Sequence, residues 1–181
     1  MGVFKKRHSA FTLLELIVVI TIIIFFTTIG VPVLSNVLVD YALYNASVQL
    51  QEDILLIQNL AITNSSDSVA RFRIRFYPSQ NRYIIEASEE ANLVLGKGKL
   101  IERKLPPNIG FPMAFGKNVP ESVVFGINST PPNLYIDLSF NNVGNPFQGG
   151  GHINLVTKNF NKQISIVVSV IGRTRIEWIK K

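Results

Sequence analysis

The chain has no cysteine, only two histidines, and charge on just 17% of its 181 residues. Without cysteine there is no disulfide framework, no thiolate metal site and no cysteine nucleophile. His8 stands near the N-terminus. His152 follows three glycines and has no ligand partner at metal-site spacing, so no metal is expected. No GxSxG is present. "GKGKL" at 96–100 lacks the Ser or Thr after its lysine and the earlier glycine that a phosphate loop needs, and reads as a lysine-bearing turn. Glu52-Asp53 and Glu89-Glu90 are sequence neighbours. Adjacent helix residues point about 100° apart, so neither is a facing acid/base pair. The expectation is a protein that is not an enzyme and carries no cofactor. Three Asn-x-Ser/Thr triplets, at Asn45, Asn64 and Asn128, are read as chance.

What the chain has in quantity is apolar surface, 47% of residues, unevenly spread. No charge falls between Leu16 and Val39. A bilayer core of about 30 Å needs about 20 helical residues, and this run is long enough. Lys5, Lys6 and Arg7 precede it, which puts the N-terminus in the cytoplasm by the positive-inside rule. They also supply three of the six net positive charges, so the pI of 9.7 is weak evidence for nucleic acid. A secretory signal would carry small residues at the far end of the run. Here Ser9 and Ala10 lie before it. A plain membrane anchor leaves Glu15 unexplained, because a carboxylate in an apolar span is costly without a partner.

"KKRHSAFTLLELIVVITII" resembles the class III leader of type IV pilins and type II secretion pseudopilins. The resemblance implies cleavage by a prepilin peptidase between Ala10 and Phe11. Glu15 would then be the glutamate at the fifth mature position. One departure is that Ala10 stands where glycine is usual. Cleavage would leave an α-amino group on Phe11, and Glu15 could pair with that amine on a neighbouring subunit, selecting the assembly register. The alternative is an uncleaved single-pass anchor.

Gly30 and Pro32 predict a kink or melted stretch in the helix. Apolar periodicity then resumes at Val39, Leu43, Ala46, Leu50, Ile54, Ile57 and Ala61, an amphipathic helix that faces a core. Asp40, Glu52 and Asp53 lie off that stripe. From residue 69 the period becomes two. In "VARFRIRFY", Arg71, Arg73 and Arg75 alternate with Phe72, Ile74 and Phe76, giving a half-buried strand with a basic stripe. Further strands read from "RYIIEA", "KLIERKL", "ESVVFGI", "LYIDLSF", "HINLVT" and "QISIVVSVIG", between Asn-, Gly- and Pro-rich turns. The expected fold is α+β and type IV pilin-like, with a long N-terminal helix packed on a C-terminal antiparallel β-sheet domain. Its parts would be a leader over 1–10, a transmembrane and assembly helix over 11–38, an amphipathic helix over 39–63, and a β-sheet domain over 64–181 with a basic tail.

The chain ends "ISIVVSVIGRTRIEWIKK". Gly172 can turn the chain sharply. Arg173 and Arg175, at alternate positions, point the same way if extended, and Lys180 and Lys181 add charge. Two guanidinium groups so placed could meet successive phosphates. Trp178 could stack on a base or lie in the core, and Glu177 opposes anion binding. The alternative is a solvated strand end with ion pairs to nearby carboxylates.

The order "LSFNNVGNP", "HINLVT", "QISIVVSVIG", "GRTR" resembles the tail of the GspH/FimT branch of minor pilins and pseudopilins. That resemblance implies non-specific contact of Gly172, Arg173 and Arg175 with double-stranded DNA during natural transformation. The other role it implies is structural, as a type II secretion pseudopilin or a pilus-priming subunit. Its implied partners are other pilin or pseudopilin subunits, the prepilin peptidase and the inner-membrane assembly platform. Its implied location is the inner membrane before assembly, then a filament with the β domain outside the cytoplasm.

Overall fold

A computed structural model describes residues 12–63, 72–87, 101–116, 122–125 and 135–179, the side chains of Ile29, Gly30 and Pro32 excepted. One helix, α1, covers Leu13–Thr63. Among the described residues nine strands follow: β1 Phe72–Tyr77, β2 Arg82–Ala87, β3 Ile101–Lys104, β4 Ile109–Gly110, β5 Val123–Phe125, β6 Ile136–Ser139, β7 Gly151–Thr157, β8 Gln163–Val168 and β9 Thr174–Ile179. The chain divides into two units, 1–38 and 39–181.

In the first unit the described apolar side chains from Leu13 to Leu38 are exposed, on a helix long and apolar enough to cross a membrane. Helix continues through Gly30 and Pro32, so the melted stretch expected there is absent. A single proline removes one donor, and the turns on either side keep theirs. Threonines in the span are satisfied within the helix. Thr21, Thr27 and Thr28 hydroxyls donate to carbonyls three or four residues earlier.

In the second unit the expected sheet domain is two antiparallel sheets. The first has the order β3-β2-β1-β6, and the second β4-β7-β8-β9 with β5 also on β7. The chain passes between them more than once, since β4 and β5 join the second sheet before β6 returns to the first. After β6 the Asn141 side chain accepts N–H bonds from Val143 and Asn145 and folds the chain back. β7 then starts a new ladder with β8.

The core lies between the apolar face of α1 and the inner faces of both sheets. Leu43, Leu50, Ile54 and Ile57 are fully buried. They belong to one cluster with Phe72, Ile74, Phe76 and Tyr83 of the first sheet and Ile153, Leu155, Ile164 and Ile166 of the second. Period 3.6 on the helix and period 2 on the strands place these residues on facing surfaces. Burial of that area, at about 25 cal/mol per Å², is the main stabilising contribution. Asp53 corrects the helix reading. It sits on the buried face at 4% exposure, where the Tyr83 hydroxyl donates to its carboxylate at 2.7 Å and Arg103 approaches at 3.4 Å. A carboxylate is tolerated there because it is hydrogen-bonded and paired.

Candidate functional site

The first candidate is the start of α1. Thr12 precedes the helix, and its hydroxyl accepts the Glu15 N–H at 3.2 Å. The Thr12 carbonyl accepts the Leu16 N–H, also at 3.2 Å. Thr-Leu-Leu-Glu is thus the sequence of a capping box, a signal the sequence reading did not use. Glu15 also meets the positive end of the helix dipole. Between Thr12 and Val39 it is the one charged residue. Ala10 and Phe11 lie outside the described residues.

The second candidate is the β8–β9 hairpin. Its turn runs from Ser169 to Gly172. The Gly172 N–H donates to Ser169 C=O at 2.9 Å, and Ser169 N–H donates to Arg173 C=O at 2.8 Å. The Ser169 hydroxyl accepts the Arg173 N–H at 3.0 Å. Gly172 has φ +78°, and a Cβ there would lie 2.0 Å from the Gly144 carbonyl oxygen. No other residue fits that position, so Gly172 fixes where the arginines begin. Val170 and Ile171 are exposed at the turn.

Arg173 and Arg175 are both exposed. They do not form a basic loop or tail, however. Arg175 lies within β9, opposite Val167. The ladder extends to Ile179, with Thr174, Ile176 and Trp178 opposite the apolar Val168, Ile166 and Ile164 of β8. Arg175 Nε is bonded to a Glu177 carboxylate oxygen at 2.6 Å, so one cation is already partnered. Arg173 has no ion pair among the described residues. Trp178 is half exposed, not in the core. Lys180 and Lys181 lie outside the described residues.

The basic stripe of β1 is neutralised where it is described. Arg75 makes a two-pronged contact with Asp137, directly opposite on β6, at 2.8 and 3.0 Å. It also reaches Glu86 at 3.3 Å and stacks over the Tyr135 ring. The hydrogen bond to Asp137 raises the Arg75 pKa beyond its ordinary value despite opposing desolvation. Arg73 pairs with Glu86 at 2.7 Å. These carboxylates come from cross-strand neighbours, which a single-strand reading cannot assign. Arg71 lies outside the described residues. Among the described residues no group of His, Asp or Glu is placed to hold a metal.

No known family profile matches the chain, and no curated protein does. Among solved structures, the minor pseudopilin EpsH from the Type 2 Secretion System of Vibrio cholerae is similar. The TM-score is 0.48 and the identity 10%, over 75% of this chain and 96% of that one.

Proposed function

We propose that the chain is a membrane-anchored subunit of a type IV pilin-class filament, a pilin or pseudopilin held in the inner membrane before assembly. The observation that carries this reading is Glu15, the one charge in the exposed apolar half of α1, placed in its first turn. An anchor needs no such carboxylate, and a subunit whose neighbour presents a free amine does. Prepilin peptidase would cut between Ala10 and Phe11, and the other subunits and the inner-membrane platform would take up the product. Co-expression with a prepilin peptidase tests this, followed by mass spectrometry of the N-terminus and recovery of filaments. A new N-terminus at Phe11, with loss of incorporation in Glu15→Ala, supports it. An unprocessed chain, or unchanged incorporation of that variant, overturns it.

Of the finer roles, structural assembly in a secretion pseudopilus or as a pilus-priming subunit is supported by the pairing of Arg73, Arg75 and Arg175. Non-specific DNA capture in transformation is the second reading. It is supported by Arg173, exposed at the hairpin turn with its backbone held by Ser169. Duplex DNA titrated against the protein over a salt series separates the two. Each phosphate contact contributes about 0.9 to the log–log salt slope. A slope that flattens in the Arg173→Ala/Arg175→Ala double variant supports capture. No binding at low salt removes it.

A further inference from the structure

β9 is the outer strand of its sheet. It pairs with β8 on one side, and no strand among the described residues pairs with the other. The hairpin sets which backbone groups point outward. Ser169 N–H bonds to Arg173 C=O, so Arg173 forms a hydrogen-bonded pair across the hairpin. Bonded and non-bonded pairs alternate along an antiparallel ladder. Arg175 and Glu177 therefore turn their backbone groups toward β8. Thr174, Ile176 and Trp178 turn theirs to the free edge. The Gln51 amide agrees with this, since it donates to the Thr174 carbonyl from outside the ladder at 3.2 Å.

Open edges are normally blunted by proline, bulges or like charge. β9 has no proline, and its ladder with β8 is regular over all six residues. Its Trp178 and Ile179 are 50% and 40% exposed. Its two charged residues, Arg175 and Glu177, are of opposite sign and lie on one face.

We propose that the free edge of β9 pairs with β9 of a second copy, antiparallel, about a two-fold axis at Ile176. In that register Ile176 faces Ile176, Thr174 faces Trp178, and Arg175 faces Glu177 on both sides of the axis. The outward backbone groups of Thr174, Ile176 and Trp178 then meet one another. A register centred on Arg175 or on Glu177 would also satisfy the ladder. Each would set two like charges opposite, which is destabilising. One centred on Thr174 would face Arg173 with Arg175. Charge thus selects the Ile176 register. The Thr174 carbonyl can keep its bond from Gln51, since a carbonyl accepts two. An interface of one strand edge lies below the roughly 1,200 Å² of stable complexes, so the dimer is weak and suited to the high local concentration of a membrane. The inference does not depend on the filament reading.

The cysteine-free chain permits a direct test. In the proposed register Arg175 and Glu177 form a non-hydrogen-bonded pair with Cα atoms about 4.5 Å apart, within disulfide reach. Full-length R175C and E177C are prepared reduced in detergent micelles, then oxidised each alone and as an equimolar mixture. Mixing should give a disulfide dimer several-fold faster than either variant alone, because like positions are offset along the strand. No cross-link on mixing, or equal cross-linking of either variant with itself, overturns the proposal. Strand pairing with a different protein alone would give that first result. A charge test is independent. R175E and E177R should each lower the dimer fraction in sedimentation, and their mixture should restore it, because every facing pair is again opposite. A mixture no more dimeric than the single variants overturns the register. Circular dichroism of both exposed-site variants checks that the monomer is intact.

Discussion

The Gln58 side chain bonds to the Gly172 carbonyl at 3.1 Å, and the same amide nitrogen reaches the Gly144 carbonyl at 2.8 Å. One helix residue thus fastens two turns of the second sheet region. Gln58→Ala leaves both carbonyls in want of a partner and should cost about 1–2 kcal/mol. Gly172→Ala should cost more, about 2–4 kcal/mol. The φ of +78° is strained for alanine, and the obstructing Gly144 atom is backbone, which yields little. Urea midpoints of the two variants check the order. A Gly172→Ala protein as stable as the parent would contradict it.

Tyr83 and Asp53 give a pH-dependent counterpart. Burial, then the Asp53 hydrogen bond and charge, raise the Tyr83 pKa well above its ordinary value of 10.0. The native state therefore holds the phenol proton more tightly than the unfolded chain. Its contribution is fully present below pH 10 and declines as pH rises above that, where only the unfolded chain releases the proton. Tyr83→Phe should lose about 1.5–3 kcal/mol at neutral pH, because a buried carboxylate loses a donor. The variant should also show a shallower fall in stability above pH 10. Chemical denaturation of both proteins at pH 7 and at rising alkaline pH measures this.

The two described arginines of β1 should behave differently. Arg75 is 17% exposed at its side chain and Arg73 is 45% exposed. Arg75→Ala leaves Asp137 and Glu86 short of a shared cation in a partly desolvated place. About 1–3 kcal/mol should be lost. Arg73→Ala breaks an exposed pair and should change stability by about 0.5 kcal/mol or less. Thermal melts of the two variants decide it, and equal losses would remove the distinction.

Much of this was legible from period and punctuation. Leu43, Leu50, Ile54 and Ile57 recur at helical spacing and are buried. Phe72, Ile74 and Phe76 alternate and face the core. The Gly172 turn was readable because a positive φ demands glycine. The partners that neutralise Arg75 were not, since Asp137 reaches it only through the β1–β6 ladder, far along the chain. Asp53 was misplaced for the same reason. Its burial is licensed by Tyr83 and Arg103, which β2 and β3 bring to the helix. The split into two sheets was not legible either, since β4 and β5 join the second sheet before β6 returns to the first, and only pairing between distant strands sets this. Gly172 interrupts the strand periodicity and so hides Arg175's place in a strand, although the alternation resumes at Thr174 in "TRIEWI".

Glu15 has two separable jobs at the helix start, and a pair of substitutions distinguishes them. As the third residue of α1 its backbone N–H is capped by Thr12, a local role that does not need the carboxylate. As a charge in an apolar span it needs a cationic partner. Thr12→Ala should weaken the cap by about 1 kcal/mol and leave the charge in place. Filament incorporation should then persist. Glu15→Gln keeps size and helix propensity but removes the charge, and incorporation should fall to background if pairing with a neighbour's amine selects the register. Immunodetection of each variant in sheared filament fractions, against the membrane-bound pool, gives the ratio. Loss of incorporation in Thr12→Ala with retention in Glu15→Gln would mean that helix capping, and not charge pairing, is what this position supplies.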